Sequence, residues 1–150
     1  MAQEKTRILV VDDDKGITQS LSVLLQSEGY RTDAAHTVKE AIEKSFENDY
    51  NLAILDIKLP DGDGTSILKT LHEISPKTLK IMLTGYPTLG NSVNSLNEGA
   101  DAYLIKPVDV EKLLTTIKSK IEEQKSAEIA TEESIAVFLQ NRAKKLLAEK

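Results

Sequence analysis

Five short apolar runs, each followed by apolar residues at helical spacing, leave this chain few ways to fold. The runs are residues 7–11, 30–35, 51–55, 79–83 and 102–105. Behind the first come Ile17, Leu21, Leu24 and Leu25, closed by Gly29, a good helix stop. Behind the second come Val38, Ala41, Ile42 and Phe46, opened by the capping box "TVKE" at 37–40. The third leads through "DIKLPDGDG" to Ile67, Leu68, Leu71 and Ile74, with Pro76 marking the end. The fourth precedes a segment rich in Asn and Ser that has only Leu89, Val93 and Leu96 to bury, and is the element expected to move. The fifth precedes Val110, Leu113, Leu114, Ile117 and Ile121. Because the runs are continuously apolar, both faces of each strand should be buried. The expected fold is α/β, a parallel sheet covered by helices on both sides with right-handed crossovers.

In such a sheet the functional crevice lies beyond the carboxyl ends of the strands. The polar residues there are Asp12, Asp13 and Asp14, then Asp56, Thr84 and Lys106. Two carboxylates about 4 Å apart repel by roughly 4 kcal/mol at an effective dielectric near 20, so a cation is expected among them. Magnesium takes oxygen ligands, keeps several waters and is held by one or two carboxylates plus a phosphate; Asp13 and Asp56 suit it. A carboxylate also attacks phosphoryl groups, giving an aspartyl phosphate, when cations neutralise the oxygens. Lys106 and the metal would supply that charge, and the Thr84 hydroxyl would donate to a third oxygen. Singly, these residues read as a helix cap, a surface lysine and a strand-end hydroxyl; their joint placement is what points to chemistry.

"VVDDD", "LDIKLPDGDG", "LTGY" and "GADAYLIKPVD" occur in this order at the strand ends, and over roughly residues 6–125 the chain resembles the receiver domain of two-component response regulators, CheY-like domains. That resemblance implies a doubly wound five-stranded parallel sheet, a (βα)5 flavodoxin-like three-layer sandwich. It implies Asp56 as phosphoacceptor and magnesium held by Asp12, Asp13, Asp56 and the backbone carbonyl of Lys58. It makes Thr84 and Lys106 the catalytic partners and Thr84 with Tyr103 the switch, Tyr103 turning inward on activation. Lys58 and Tyr86 match the positions that tune phosphoryl lifetime, bulky Tyr86 by shielding the phosphoryl group from water, and Pro107 matches a proline that follows a cis peptide. Asp14 is expected as the N-cap of the first helix instead of a ligand. The implied partner is a sensor histidine kinase or a histidine phosphotransfer protein, with a downstream protein target or a homodimer as output.

With 150 residues, 40% hydrophobic and 29% charged, the composition is that of a folded globular chain. The formal charge of −5 and the lack of a basic run argue against direct nucleic-acid contact. The absence of cysteine removes thiol catalysis and thiolate metal sites. The amino-terminal apolar run is too short for a signal peptide or a membrane span, so a cytoplasmic location is expected. His36 and His72 lack metal-ligand spacing, and "PDGDG" lacks the spaced acids of a calcium loop, leaving a turn into the third helix.

After Glu122 the helical stripe breaks, because Gln124, Lys125 and Glu128 stand where apolar residues are due. The reading is a receiver domain over 1–125 and an amphipathic helical extension over 126–150. Its helix carries Ile135, Phe138, Leu139, Ala143, Leu146 and Leu147, with Thr131 as N-cap. One continuous helix over 109–149 is the alternative, since no Gly or Pro interrupts it. Twenty-five residues cannot hold a helix-turn-helix domain, so transcriptional output is not expected from them. A homodimer could use this helix or the face made by the fourth helix, fifth strand and fifth helix. The expected function is a stand-alone phospho-accepting receiver and not an enzyme. The alternatives are a phosphorylation-independent interaction module and a magnesium-dependent phosphohydrolase; the latter is disfavoured because Lys58 stands where such enzymes place a second acid.

Overall fold

The computed structural model describes residues 5–85 and 99–148. Two compact units are present, Met1–Leu114 and Thr115–Lys150. In the first unit, β1 (Arg7–Val11), β2 (Arg31–Ala35), β3 (Leu52–Leu55), β6 (Leu79–Thr84) and β7 (Ala102–Ile105) form one sheet. Its order is β2-β1-β3-β6-β7, and every pairing is parallel. The five runs read as strands agree with these five to within a residue at each end.

Both faces of the three central strands β1, β3 and β6 are buried, as continuous apolar strands require, while the edge strands β2 and β7 are only partly buried. Leu9, Val11, Ala53, Leu55 and Met82 join a core cluster with Ala41 of α2 (Val38–Glu47) and Ile67, Leu68 and Leu71 of α3 (Gly64–Ile74). Their neighbours along the strands, Ile8, Val10, Leu52, Ile54 and Ile81, are equally buried. Leu21 and Leu25 of α1 (Lys15–Ser27) are buried too. Each such side chain stabilises the fold by about 2 kcal/mol relative to exposure.

Local chemistry sets the helix starts. Asp14 is the N-cap of α1, its Oδ1 accepting from the amides of Gly16 at 2.9 Å and Ile17 at 3.3 Å. Thr37 caps α2 by accepting from Glu40 N at 3.0 Å. The reciprocal half of the capping box is displaced by one residue, since the Glu40 carboxylate accepts from His36 N at 3.2 Å. A second cap arrives from afar: Asp61 accepts from the amides of Val38 at 2.8 Å and Lys39 at 3.0 Å. These bonds hold the Asp61 carboxyl below the usual carboxylate range. They also tie the loop after Asp56 to α2, and within that loop β4 (Lys58–Leu59) and β5 (Gly62–Asp63) form a small antiparallel hairpin that the sequence reading took as a plain turn.

The last element corrects an expectation. No helix break occurs near Glu122, and α4 runs unbroken from Val110 to Ala148. Thr131 is not an N-cap; its hydroxyl donates to Ala127 O at 2.9 Å in mid-helix. Gln124, Lys125 and Glu128 are good helix formers, so the loss of apolar phase marks the end of burial and not the end of the helix. Leu113, Ile117 and Ile121 are buried, whereas residues 125–148 are all exposed.

Candidate functional site

The strand order reverses between β1 and β3: the chain leaves β1 for β2 on one side and returns to β3 on the other. At such a switch point the loops leaving the two central strands diverge and open a crevice at their carboxyl ends. Asp12 follows β1 and Asp56 follows β3, so both carboxylates reach it by topology. Backbone bonds fasten the two loops, Asp12 N to Ala35 O at 3.1 Å and Asp56 N to Val11 O at 3.0 Å.

The crevice is a dent of about 400 Å³ lined by Asp12, Asp13, Asp14, Ile17, Asp56, Lys58, Gly85 and Lys106. Asp12 and Asp56 are buried and Asp13 is exposed, and carboxylate oxygens of all three lie within 4.8 Å of one another. Lys106 Nζ donates to Asp12 Oδ2 at 2.6 Å and to Asp56 Oδ2 at 3.2 Å. Asp56 Oδ1 is buried and has no hydrogen-bond partner among the described residues. Lys106 therefore pairs with two of the three clustered carboxylates, and one buried carboxylate oxygen is left without a hydrogen-bond partner among the described residues. Oxygen donors with excess negative charge and an unfilled acceptor are what a hard divalent cation requires.

The electrostatics follow from burial. Desolvation pushes the Asp56 carboxyl above the usual carboxylate range; the Lys106 charge opposes this in part and the Asp12 charge adds to it. Burial pulls Lys106 down, but the hydrogen bond and charge of Asp12, with those of Asp56, outweigh it and hold the ammonium above its ordinary value. The lysine is thus a cation at neutral pH, and Asp56 is the carboxyl whose charged form burial disfavours.

Thr84 ends β6 fully buried, and its carbonyl accepts from Lys106 N at 2.8 Å, which keeps that strand end beside the lysine. The Lys106–Pro107 peptide is cis. Tyr103 does not line the dent. Its ring packs against the core cluster, it borders a separate hollow with Leu83, Leu104 and Leu113, and its hydroxyl is enclosed with no partner among the described residues. Lys58 is exposed in β4, opposite Asp63. Tyr86 and the helix expected around Leu89, Val93 and Leu96 lie outside the described residues.

Two supports of the site escaped the sequence reading. A Cβ at Gly64 would stand 1.9 Å from the backbone oxygen of Asp56, and Gly64 N donates to Ile57 O at 2.6 Å. Only glycine lets α3 start that close to the Asp56 loop, and the glycine-rich "PDGDG" was the available signal. The Asp61 cap had no local signal, because its partners lie 22 and 23 residues away.

Comparison with known proteins agrees with this fold. The family model for the response regulator receiver domain matches residues 8–118. A CheY-like response regulator receiver domain protein from Methanospirillum hungatei JF-1 is 48% identical with a TM-score of 0.81, over 83% of this chain and 99% of that one. A response regulator from Burkholderia pseudomallei, solved with a phosphorylated aspartic acid, calcium ion and citrate, is 28% identical with a TM-score of 0.73, over 83% of this chain and 73% of that one. The transcriptional regulatory protein ZraR of Klebsiella oxytoca is 34% identical over 136 residues, 91% of this chain but only 31% of that protein. Among the described residues no helix is long and apolar enough to cross a membrane. With the family model matched over residues 8–118, most of the chain, this protein belongs to the response regulator receiver domain family.

Proposed function

We propose that Asp56 is the phosphoacceptor of a two-component signalling chain and takes a phosphoryl group from a phosphohistidine on a sensor kinase or phosphotransfer protein. The observation that carries this reading is the buried, unpartnered Oδ1 of Asp56 inside a cluster of three carboxylates. A carboxylate oxygen of Asp56 forms the new P–O bond, the P–N bond to the donor imidazole breaks, and the imidazole leaves with the electron pair and takes a proton. Asp12, Asp13 and Asp56, with the Lys58 carbonyl, would hold magnesium, which supplies positive charge to the phosphoryl oxygens. Lys106 moves little to do the same on the other side, since its Nζ already lies 3.2 Å from Asp56 Oδ2. The Thr84 hydroxyl would donate to a third oxygen, and its movement would be read by Tyr103.

Membership of the response regulator receiver domain family supports a kinase donor. Because the chain spans less than a third of ZraR, what a transcriptional regulator does with its remaining length is not carried over. We propose a protein surface, not nucleic acid, as the reader of the switch, within a receiver unit over 1–125 in the cytoplasm. The test is intact mass after incubation with acetyl phosphate and magnesium. The wild type should gain one phosphoryl group, and Asp56→Asn or omission of magnesium should abolish the gain. Equal uptake by Asp56→Asn would overturn the assignment.

A further inference from the structure

The second half of α4 exposes large apolar side chains, with Ile135 at 54%, Phe138 at 65%, Leu139 at 58% and Leu146 at 55% on one face. Positions 117, 121, 124, 128, 131, 135, 138, 142 and 145 are four and three residues apart in turn, so they lie along one stripe of the helix. The stripe is apolar at Ile117 and Ile121, polar at Gln124, Glu128 and Thr131, apolar again at Ile135 and Phe138, and cationic at Arg142 and Lys145. Beside its outer half stand Leu139 and Leu146 on one side, which widen the apolar surface, and Ser134, Asn141 and Ala148 on the other, which let another helix approach closely there.

Charge is distributed unevenly along the same helix. Residues 122–133 carry five glutamates and one lysine, and residues 140–148 carry Arg142, Lys144 and Lys145 with no acid. A parallel partner of the same sequence would set Glu128 against Glu128 and Arg142 against Arg142 within the stripe. An antiparallel partner sets opposite charges together instead, and like charges in the contact are what pairing selects against.

We propose that the exposed half of α4 pairs with the same segment of a second copy of this chain, antiparallel, with the twofold axis between Ile135 and Phe138. In that register Ile135 of one helix meets Phe138 of the other, Thr131 meets Arg142, and Glu128 lies beside the turn bearing Arg142 and Lys145. Lys125 pairs in height with Ala148, an overlap of 24 residues or about 36 Å at 1.5 Å per residue. The two charged interruptions of the stripe then neutralise each other across the contact, which covers Ile135 and Phe138 with Leu139 and Leu146 beside them. The pairing is independent of the phosphoryl chemistry and is expected in Asp56→Asn as well.

The experiment combines light scattering after size exclusion with disulfide trapping on the full chain, which has no native cysteine. The wild type should be dimeric. Glu128→Lys should weaken the dimer about tenfold or more, as should Arg142→Glu with Lys145→Glu, and the combined reversal should restore it. Oxidising a mixture of Thr131→Cys and Arg142→Cys should join the two variants to each other, with little self-linking of either alone. Self-linking of each variant would overturn the proposal in favour of a parallel pair. A monomer at all concentrations would overturn it in favour of a different partner for this face. Phosphoryl uptake by each variant reports that the domain is folded, so a failed fold is not mistaken for a failed dimer.

Discussion

Asp12 and Asp56 are charged and buried at the crevice, while Phe138 and Leu147 are apolar and exposed on the outer half of α4. The two regions depart from ordinary burial in opposite directions. At the crevice the sheet topology forces carboxylates together and leaves one oxygen unsatisfied; on α4 a stable helix carries an apolar row that no described residue covers. In both, the local chemistry is consistent with the fold except at one unfilled requirement, and such exceptions are where function is expected. What would meet it differs: under the proposed function a cation and a phosphoryl group at one, and under the proposed pairing apolar surface at the other.

The largest contrast is expected from Gly64→Ala. Its Cβ would collide with the Asp56 backbone oxygen at 1.9 Å, so a loss of about 4 kcal/mol or more should appear in urea unfolding. Ser126→Gly, in exposed mid-helix, should cost the domain less than about 1 kcal/mol. A tolerated Gly64→Ala would show that the loop yields where the geometry says it cannot.

Next is Lys106→Met, which leaves Asp12 and Asp56 facing each other without their cation. A destabilisation of about 3 kcal/mol is expected in metal-free buffer, with phosphoryl uptake slowed on the order of a hundredfold. Magnesium should restore part of the stability and little of the rate. A comparable effect is expected from Leu68→Ala in the core, about 3 kcal/mol, against less than about 0.5 kcal/mol of domain stability for Leu147→Ala in dilute solution. Equal effects at the two leucines would mean that the outer half of α4 is covered within one chain.

The smallest expected effect is electrostatic. Because the folded state raises Asp56 above its ordinary value, it binds more protons than the unfolded chain just above pH 4. Stability without metal should therefore fall as pH rises through that window. Asp56→Asn should remove that fall and raise the metal-free midpoint by a few degrees at neutral pH. Lys106 works the other way. Its raised value contributes stability that is complete below about pH 10.4 and is lost as pH climbs through the folded value. A pH profile unchanged in Asp56→Asn would place the burial penalty elsewhere in the cluster.

How much was legible beforehand varied by residue. The five strands and the Asp14 and Thr37 caps could be read directly, because apolar continuity and capping act over a few neighbouring residues. The acids, Thr84 and Lys106 could be collected on one rim because strand-helix alternation puts all strand ends on one side. For α4 the preferred break near Glu122 was wrong and the alternative of one helix over 109–149 holds, since apolar phase reports burial and helix formation requires only the absence of breakers. Gly64 was taken as a turn residue, because nothing local says that its missing Cβ faces the Asp56 carbonyl.

The amino-acid sequence alone thus determined the fold class, the identity of the rim residues and the charge asymmetry of the last helix, all of which arise from short-range patterning. Only the tertiary structure decided that Asp56 Oδ1 lacks a partner, that Lys106 bridges Asp12 and Asp56 from 94 and 50 residues away, and that Asp61 caps a helix 23 residues before it. These are long-range approaches set by how crossovers pack on a sheet, and pairing distances of that kind are not encoded in any local stretch of chain.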